Sequence, residues 1–478
     1  MAWTRSGVRA PSPPLRQKPR HTSRGFFNAP NTHTHTLNTT QAPSTDYSLA
    51  STHKNGCNTP MIKRIHNLVT SYGPAIFMIG AVVGTGSVTS MVRAGSDHGM
   101  SLLWALALSC AFFWVMIESV SRLTFASGKT FVSLVKDEIG KPAAFYVVIA
   151  IVVGQFTSNV GMLGIVADAF SDWTGINAVT ISLAFCFTLF IFMIIGNYNI
   201  FERLLMVFVT VLGLSFIINV FLVHPTPTQV LQGLIPSPPT ELSEFKNWAL
   251  LVGGMVGTTL AGSVVVMRSF VVTDKGWNIN NQPHARKDAI VSAALVFTVS
   301  GVIMACAAGT FYGNAARTGT GDDLKAIDMA YALVPLLGEW AATLFVVGIV
   351  AAGASSAIPN ALVSIWSAAD FFGFSRNSSG WVFRIMALTF CAAGLIVPFT
   401  GKNPVGLQLM SLALQAAFMP LLVLFILILL NRKKLVAQHK NRIAMNTLGT
   451  LTFAFTCYTA YLAITGLIDR IQNFATTS

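Results

Sequence analysis

The stretch 80-GAVVGTGSVTSMVRAG-95 lies in an apolar run long enough to cross a bilayer, yet its centre reads Gly-Thr-Gly-Ser. A helix interrupted there frees backbone N–H and C=O groups that lipid cannot satisfy. Such groups are tolerated at depth only where they line a cavity or grip a solute. One glycine would read as a packed kink, but a second interruption, 257-GTTLAGS-263, follows five spans later. Gly-interrupted segments at corresponding positions of two halves point to the substrate site of a transporter built from inverted repeats.

The rest of the chain supports a membrane setting. Its 478 residues are 53% hydrophobic and 10% charged, whereas a soluble chain carries about 25% charged residues. Mean hydropathy is +0.62. Apolar runs of bilayer length predict eleven spans: 73–95, 101–126, 142–168, 176–196, 202–224, 247–273, 287–312, 336–369, 381–399, 404–430 and 443–467. The short alternating segments of a β-barrel are not seen. The six cysteines are scattered without metal-binding spacing and read as small core residues. No nucleophile–base set or nucleotide loop points to an enzyme, and no cofactor is expected.

Net charge is +13, but its distribution argues against nucleic acid. Lys129, Lys136, Lys141, Arg203, Lys275, Arg286, Lys287, Arg376 and the run Arg432 to Arg442 fall in alternate loops, whereas Asp168, Asp172, Glu241, Glu244, Asp322 and Asp323 fall in the others. The positive-inside rule then puts the N-terminus inside and the C-terminus outside, in a bacterial-type cell membrane. Residues 1–66 form a basic tail rich in Pro, Ser and Thr, expected to be disordered or to precede the true start at Met61. Two repeats are expected at 67–224 and 225–430, with an eleventh helix and C-terminus at 431–478.

Several stretches carry a family resemblance. 73-GPAIFMIGAVVGTGS-87, 102-LLWALAL-108, 122-RLTFASGK-129, 201-FERLLMVFVTVLGLSF-216, 230-VLQGLIPSPP-239 and 335-PLLGEWAATLFVVGIVAAGASSAIPNAL-362 resemble the Nramp metal transporters. The resemblance covers nearly all of residues 65–467 and implies an all-α polytopic membrane protein. The implied architecture is LeuT-like: two inverted five-helix repeats plus an eleventh helix, with helices 1 and 6 broken. The functional motifs depart from the family pattern. Its first-helix Asp-Pro-Gly-Asn falls on Gly84, Thr85, Gly86 and Ser87, and its sixth-helix Met-Pro-His on Ala261, Gly262 and Ser263. A later family histidine falls on Arg268, and the acidic residues of its third helix are missing from 157-TSNVGMLG-164. None of the family's side-chain metal ligands is retained.

Those losses shape the expected substrate. Half-helix N-termini favour anions, and Thr85, Ser87, Thr258, Thr259 and Ser263 add neutral donors beside Gly84, Gly86, Ala261 and Gly262. A small inorganic anion, bicarbonate first, is therefore expected. A divalent metal ion (Mg²⁺ or Mn²⁺), as in the parent family, is the alternative, followed by a small carboxylate or an amino acid. Sodium coupling is a further expectation, with Na⁺ held by Gly80, Val83, Ser355 and Ser356. Arg93 and Arg268 are candidates for steering anions or for snorkelling at helix ends. Glu118 and Arg122 are spaced to pair. Gln155 and Asn159 either line the cavity or bond across helices, and Gln408, Ser411 and Gln415 share one helix face. Pro359 and Pro420 are expected to kink their helices.

Overall fold

The computed structural model describes residues 84–195, 199–223, 225–313, 324–432, 435 and 443–476. The basic tail, Gly80, Val83, Asp322, Asp323 and most of the run after Arg432 lie outside the described residues. Within them the secondary structure is helical throughout. In chain order the helices are α1 (Thr85–His98), α2 (Leu103–Ser127), α3 (Phe131–Glu138), α4 (Lys141–Thr174), α5 (Ala178–Ile195) and α6 (Asn199–Val223). There follow α7 (Pro227–Gln232), α8 (Leu242–Thr259), α9 (Gly262–Asp274), α10 (Gln282–Phe311), α11 (Val334–Leu337) and α12 (Trp340–Phe372). The chain ends with α13 (Trp381–Ala392), α14 (Ile396–Thr400), α15 (Pro404–Leu430) and α16 (Ile443–Thr476).

Ten segments among the described residues are long and apolar enough to cross a membrane, with α8 and α9 counted together. They match the second to eleventh predicted spans, with ends shifted by up to eight residues. Of the first predicted span, 73–83 lies outside the described residues and the remainder is α1. The short helices α3, α7 and α11 are not foreseen by hydropathy, being too brief to cross lipid. One of them was legible by its cap. Thr226 and Gln229 exchange side-chain and backbone hydrogen bonds in a capping box, the S/T-x-x-E/Q signature of a helix start.

Bilayer as solvent explains which faces are bare. Phe187 on α5 and Phe221 on α6 are 65% and 68% exposed, a pattern that suits lipid and would be costly in water. The interior is closed by small residues. A Cβ on Gly95 of α1 would lie 2.3 Å from the Met304 carbonyl oxygen of α10. One on Gly466 of α16 would lie 2.7 Å from the Leu250 Cα of α8. Such close backbone approach is how helices associate in lipid, where apolar burial between helices contributes little. Trp248 is the largest fully buried side chain and stacks on Trp104 at 6.2 Å.

Lys129, Lys136, Arg376 and Arg432, from three of the basic loops assigned to one side, share one end of the bundle. Lys129 pairs with Asp137 at 2.6 Å and Arg432 with Glu138 at 3.0 Å. Lys136 donates to the Phe371 carbonyl at 2.7 Å, while Asp370 takes both Arg376 and the Thr130 hydroxyl. These exposed pairs contribute little stability individually; their value is that they tie α3 to the ends of α12 and α15. Glu118 and Arg122 pair as their spacing predicts, and Arg286 approaches the same carboxylate at 3.7 Å. Pro359 and Pro420 lie inside α12 and α15. Four of the cysteines, Cys110, Cys186, Cys306 and Cys391, are buried thiols, as their reading as core residues expects.

Candidate functional site

The second interruption is shorter than the sequence suggests. Between α8 and α9 only Leu260 (φ −98°, ψ 50°) and Ala261 (φ −70°, ψ 128°) leave the helix. Gly257, Thr258 and Thr259 still belong to α8, and Gly262 and Ser263 already belong to α9. In the first segment Gly84 is extended (φ −98°, ψ −169°) and the helix starts at Thr85. None of these angles requires glycine. Space does: a Cβ on Gly84 would lie 2.3 Å from Ser356 Oγ, and one on Gly86 2.9 Å from Gln408 Nε2. The glycines of Gly-Thr-Gly-Ser thus admit side chains from α12 and α15.

The two broken segments meet. Ser87 Oγ and Thr258 Oγ1 are 3.0 Å apart, which ties α1 to α8 beside a buried cavity. Its wall is built from α1 (Thr85, Gly86), α4 (Gln155, Ser158, Met162), α8 (Gly257, Thr258), α9 (Ser263, Val264), α12 (Ser356, Asn360) and α15 (Gln408, Leu412, Gln415), with Gly84 and Ala261 at the helix breaks. It offers about 40 Å³ to the centres of water-sized spheres, where one water needs roughly 10–15 Å³. The space suits an ion with a few waters rather than an organic solute.

Every side chain on this wall is neutral. Several are fixed by one another: Gln155 Nε2 donates to Gln415 Oε1 at 2.8 Å, Gln408 Nε2 to Ser158 Oγ at 3.4 Å, and Asn360 Nδ2 to Asn159 Oδ1 at 3.1 Å. Others are left over. Gln408 Oε1 and Thr85 Oγ1 are buried on the wall without a hydrogen-bond partner, as is Thr259 Oγ1 just behind it. A buried oxygen without a partner costs about 1–3 kcal/mol; Gln408 Oε1 packs towards Gly161 of α4 and Thr85 Oγ1 towards Gly353 of α12. The last turn of α8 adds carbonyl groups without helical donors, at the negative end of its dipole.

Of the site residues predicted from sequence, Gly84, Thr85, Gly86, Thr258, Ala261, Ser263 and Ser356 line the cavity. Ser87 bonds to its edge. Gly262 faces Leu422 and Met419 instead. Ser355 turns back on its own helix, donating to the Ala352 carbonyl at 3.0 Å, so it does not join Ser356. Arg93 and Arg268 are not on the wall: Arg93 Nε binds Asp97 Oδ2 at 2.8 Å, and Arg268 is fully buried against Asp288. Gln155, Gln408 and Gln415 do face inward, whereas Ser411 bonds back to the Gln408 carbonyl at 2.8 Å. The wall residues that were not among the predicted site residues or the inward-facing glutamines are Ser158, Met162, Gly257, Val264, Asn360 and Leu412. Gln155, Ser158 and Met162 recur at i, i+3 and i+7, one face of a helix, and that spacing could have found two of them.

The family model described as natural resistance-associated macrophage protein-like matches residues 75–466. The chain belongs to the Nramp family. Among its Nramp relatives, the divalent metal cation transporter MntH of Staphylococcus saprophyticus is 23% identical over 424 residues, covering 85% of this chain and 93% of that one. Of solved structures, a mutant of the Eremococcus coleocola manganese transporter superposes with a TM-score of 0.66 at 16% identity, covering 88% and 89% of the two chains. The nucleobase-cation-symport-1 family transporter Mhp1 in a closed conformation gives 0.51 at 14% identity over 83% and 89%. The LeuT-like, all-helical fold expected from the resemblance is therefore the fold of this Nramp protein, an integral membrane transporter and not an enzyme.

The expected anion is corrected by these relatives, which are named for divalent metal cations. Bicarbonate, a small carboxylate, and sodium symport with an anion find no support among them. The physical reason is on the cavity wall. Helix N-termini and hydroxyl donors are only part of what is there; the carbonyl end of α8 supplies acceptors at the second break itself, and the amide side chains of α4, α12 and α15, remote in the chain from the breaks, bring oxygens as well as N–H donors.

Proposed function

We propose that this protein carries a divalent metal cation, Mg²⁺ or Mn²⁺, across the cell membrane as a secondary transporter, with the ion passing the cavity partly hydrated. The observation that carries this reading is a cavity lined only by neutral side chains, rich in hydroxyl and amide oxygens, beside the break between α8 and α9, with two of its lining residues, Gln408 and Thr85, holding buried oxygens that lack a hydrogen-bond partner. Hard divalent cations bind oxygen, and Mg²⁺ gives up its waters reluctantly, so it keeps several while accepting a few protein oxygens. With no carboxylate on the wall, the protein supplies dipoles rather than charge, and retained waters complete the shell. The names of the relatives support the same substrate class.

Reconstituted protein in liposomes enclosing a Mg²⁺- or Mn²⁺-sensitive dye tests this. Divalent uptake above protein-free liposomes is expected. In Gln408→Leu, which keeps the side chain's bulk but removes the oxygen, uptake at low ion concentration should fall about tenfold, the equivalent of 1.4 kcal/mol. Folded wild-type protein that moves neither ion would overturn the proposal.

We further propose that the end of the bundle holding Lys129, Lys136, Arg376 and Arg432 faces the cytoplasm, so that the N-terminus lies inside and the C-terminus outside. The clustering of cations at that end supports it. A cysteine at Ser375, placed in a cysteine-free background, should react with an impermeant maleimide only after cells are permeabilised. Labelling of intact cells would reverse the orientation.

A further inference from the structure

We infer that the amide oxygen of Asn360 is a ligand of the transported cation, and that Asn159, which lies behind the cavity wall, positions it. The inference rests on the divalent-cation reading and deepens it by naming a ligand on α12. Its anchor is a further break in the bundle. α13 stops at Ala392 and gives way to a tight 3₁₀ turn, Ala393–Leu395. Such a transition leaves carbonyl groups without their ordinary helical donors, and two of them here take side-chain donors. The Cys186 thiol donates to the Cys391 carbonyl at 2.7 Å, and Asn159 Nδ2 donates to the Phe390 carbonyl at 3.4 Å.

A carbonyl only accepts, so the Phe390 oxygen fixes which way round the Asn159 amide sits, with its NH₂ towards α13 and its oxygen towards α12. Asn159 Oδ1 in turn accepts from Asn360 Nδ2 at 3.1 Å. The direction is handed on: the nitrogen of Asn360 faces α4, and its oxygen is left at the other end of the amide. Asn360 is half-buried and lines the cavity, whereas Asn159 is 1% exposed and off the wall. Among the described residues no group donates to Asn360 Oδ1. Hard divalent cations take amide oxygens as ligands. An amide free to flip would offer a cation its NH₂ end as readily as its oxygen, and the relay from Phe390 removes that state before the ion arrives. Amide pairs between membrane helices also serve as packing glue, and glue would be indifferent to the ion.

Uptake of Mn²⁺ and Mg²⁺ into liposomes separates the two roles. Asn360→Leu should raise the apparent KM for either ion about tenfold, the equivalent of 1.4 kcal/mol in binding, with little change in maximal rate. Asn360→Asp keeps an oxygen towards the cavity in either protonation state and should hold KM at or below the wild-type value. Asn159→Leu, a change that never reaches the cavity, should raise KM by a similar factor. The double variant Asn159→Leu/Asn360→Leu should add nothing to Asn360→Leu, because both changes act through one oxygen. Should Asn360→Leu not fold, Asn360→Ala removes the oxygen without adding apolar bulk and is read in its place. An unchanged KM without the oxygen, or a KM raised equally by Asn360→Asp, would make Asn360 a packing residue and overturn the inference while leaving divalent transport intact. Losses from Asn159→Leu that fall on maximal rate, or that multiply with those of Asn360→Leu, would overturn the positioning role. Absence of Mg²⁺ and Mn²⁺ flux from wild type would overturn the parent reading, and the inference with it.

Discussion

Arg268→Met destabilises the detergent-solubilised protein by about 3–5 kcal/mol, the cost of leaving one member of a buried ion pair without its partner. Arg268 and Asp288 are both completely buried, with Nη1 and Oδ2 at 2.5 Å. The guanidinium also donates from Nε to Ser121 Oγ at 2.9 Å and from Nη2 to the Ala285 carbonyl at 3.4 Å, and it stands 5.5 Å from the Trp277 ring centre. It thus ties α9, the half-helix after the second break, to α2 and α10. In the variant, the fully buried Asp288 carboxyl loses its partner, and its Oδ1 already lacks a hydrogen-bond partner. Unfolding followed by tryptophan fluorescence should show the loss. The double variant Arg268→Met/Asp288→Leu should recover most of it, because replacing a whole buried pair by apolar groups is often neutral or stabilising. A single variant as stable as wild type would remove Arg268 from the set of structural ties.

Gly257→Val produces the second large effect, on transport. A Cβ at this position would lie 1.8 Å from the Leu412 carbonyl oxygen and 2.7 Å from its carbon. Both belong to backbone, so no rotamer change relieves the overlap and α8 must move away from α15. Overpacking of this kind costs about 1–3 kcal/mol. The movement also carries Thr258 away from Ser87 and Gly257 away from Leu412, both pairs lying at the cavity. Initial uptake at low ion concentration should fall by roughly five- to 150-fold, the equivalent of 1–3 kcal/mol. The control is Gly213→Val on α6, where an added Cβ meets nothing within 4 Å; it should transport normally. Normal uptake by Gly257→Val would mean that the close approach of α8 to α15 is not needed for the site.

How much of the site was legible in sequence depends on the distance its atoms span along the chain. Gly84 to Ser87 and Gly257 to Ser263 could be found because interrupted apolar runs are local patterns. Their glycines were legible, but the reason for them was not. Extended φ and ψ at Gly84 would suit any residue; what excludes a side chain there is Ser356, 272 positions later. The face Gln408, Ser411, Gln415 was readable as inward by its spacing, yet Ser411 spends its hydroxyl on its own helix. Arg268 read equally well as a steering charge or a snorkelling one, and it is neither, because Asp288 lies one helix later and just across the interface.

Sequence alone determined the solvent, the helical class, the family and the place where α8 gives way to α9. These follow from composition, apolar run length and short motifs, all set by neighbours along the chain. The tertiary structure decided which oxygens share a wall, which arginine is neutralised and which glycine is a point of contact. Those outcomes depend on pairs such as Gly257 with Leu412, Gly161 with Gln408 and Ser87 with Thr258. In lipid, such pairs are set by close packing of small residues and by the need to satisfy every buried polar group. Neither requirement leaves a periodic trace in the chain. For the same reason the polarity of the site was misread from the two interrupted segments, since amide and hydroxyl side chains of α4, α12 and α15 also line the cavity.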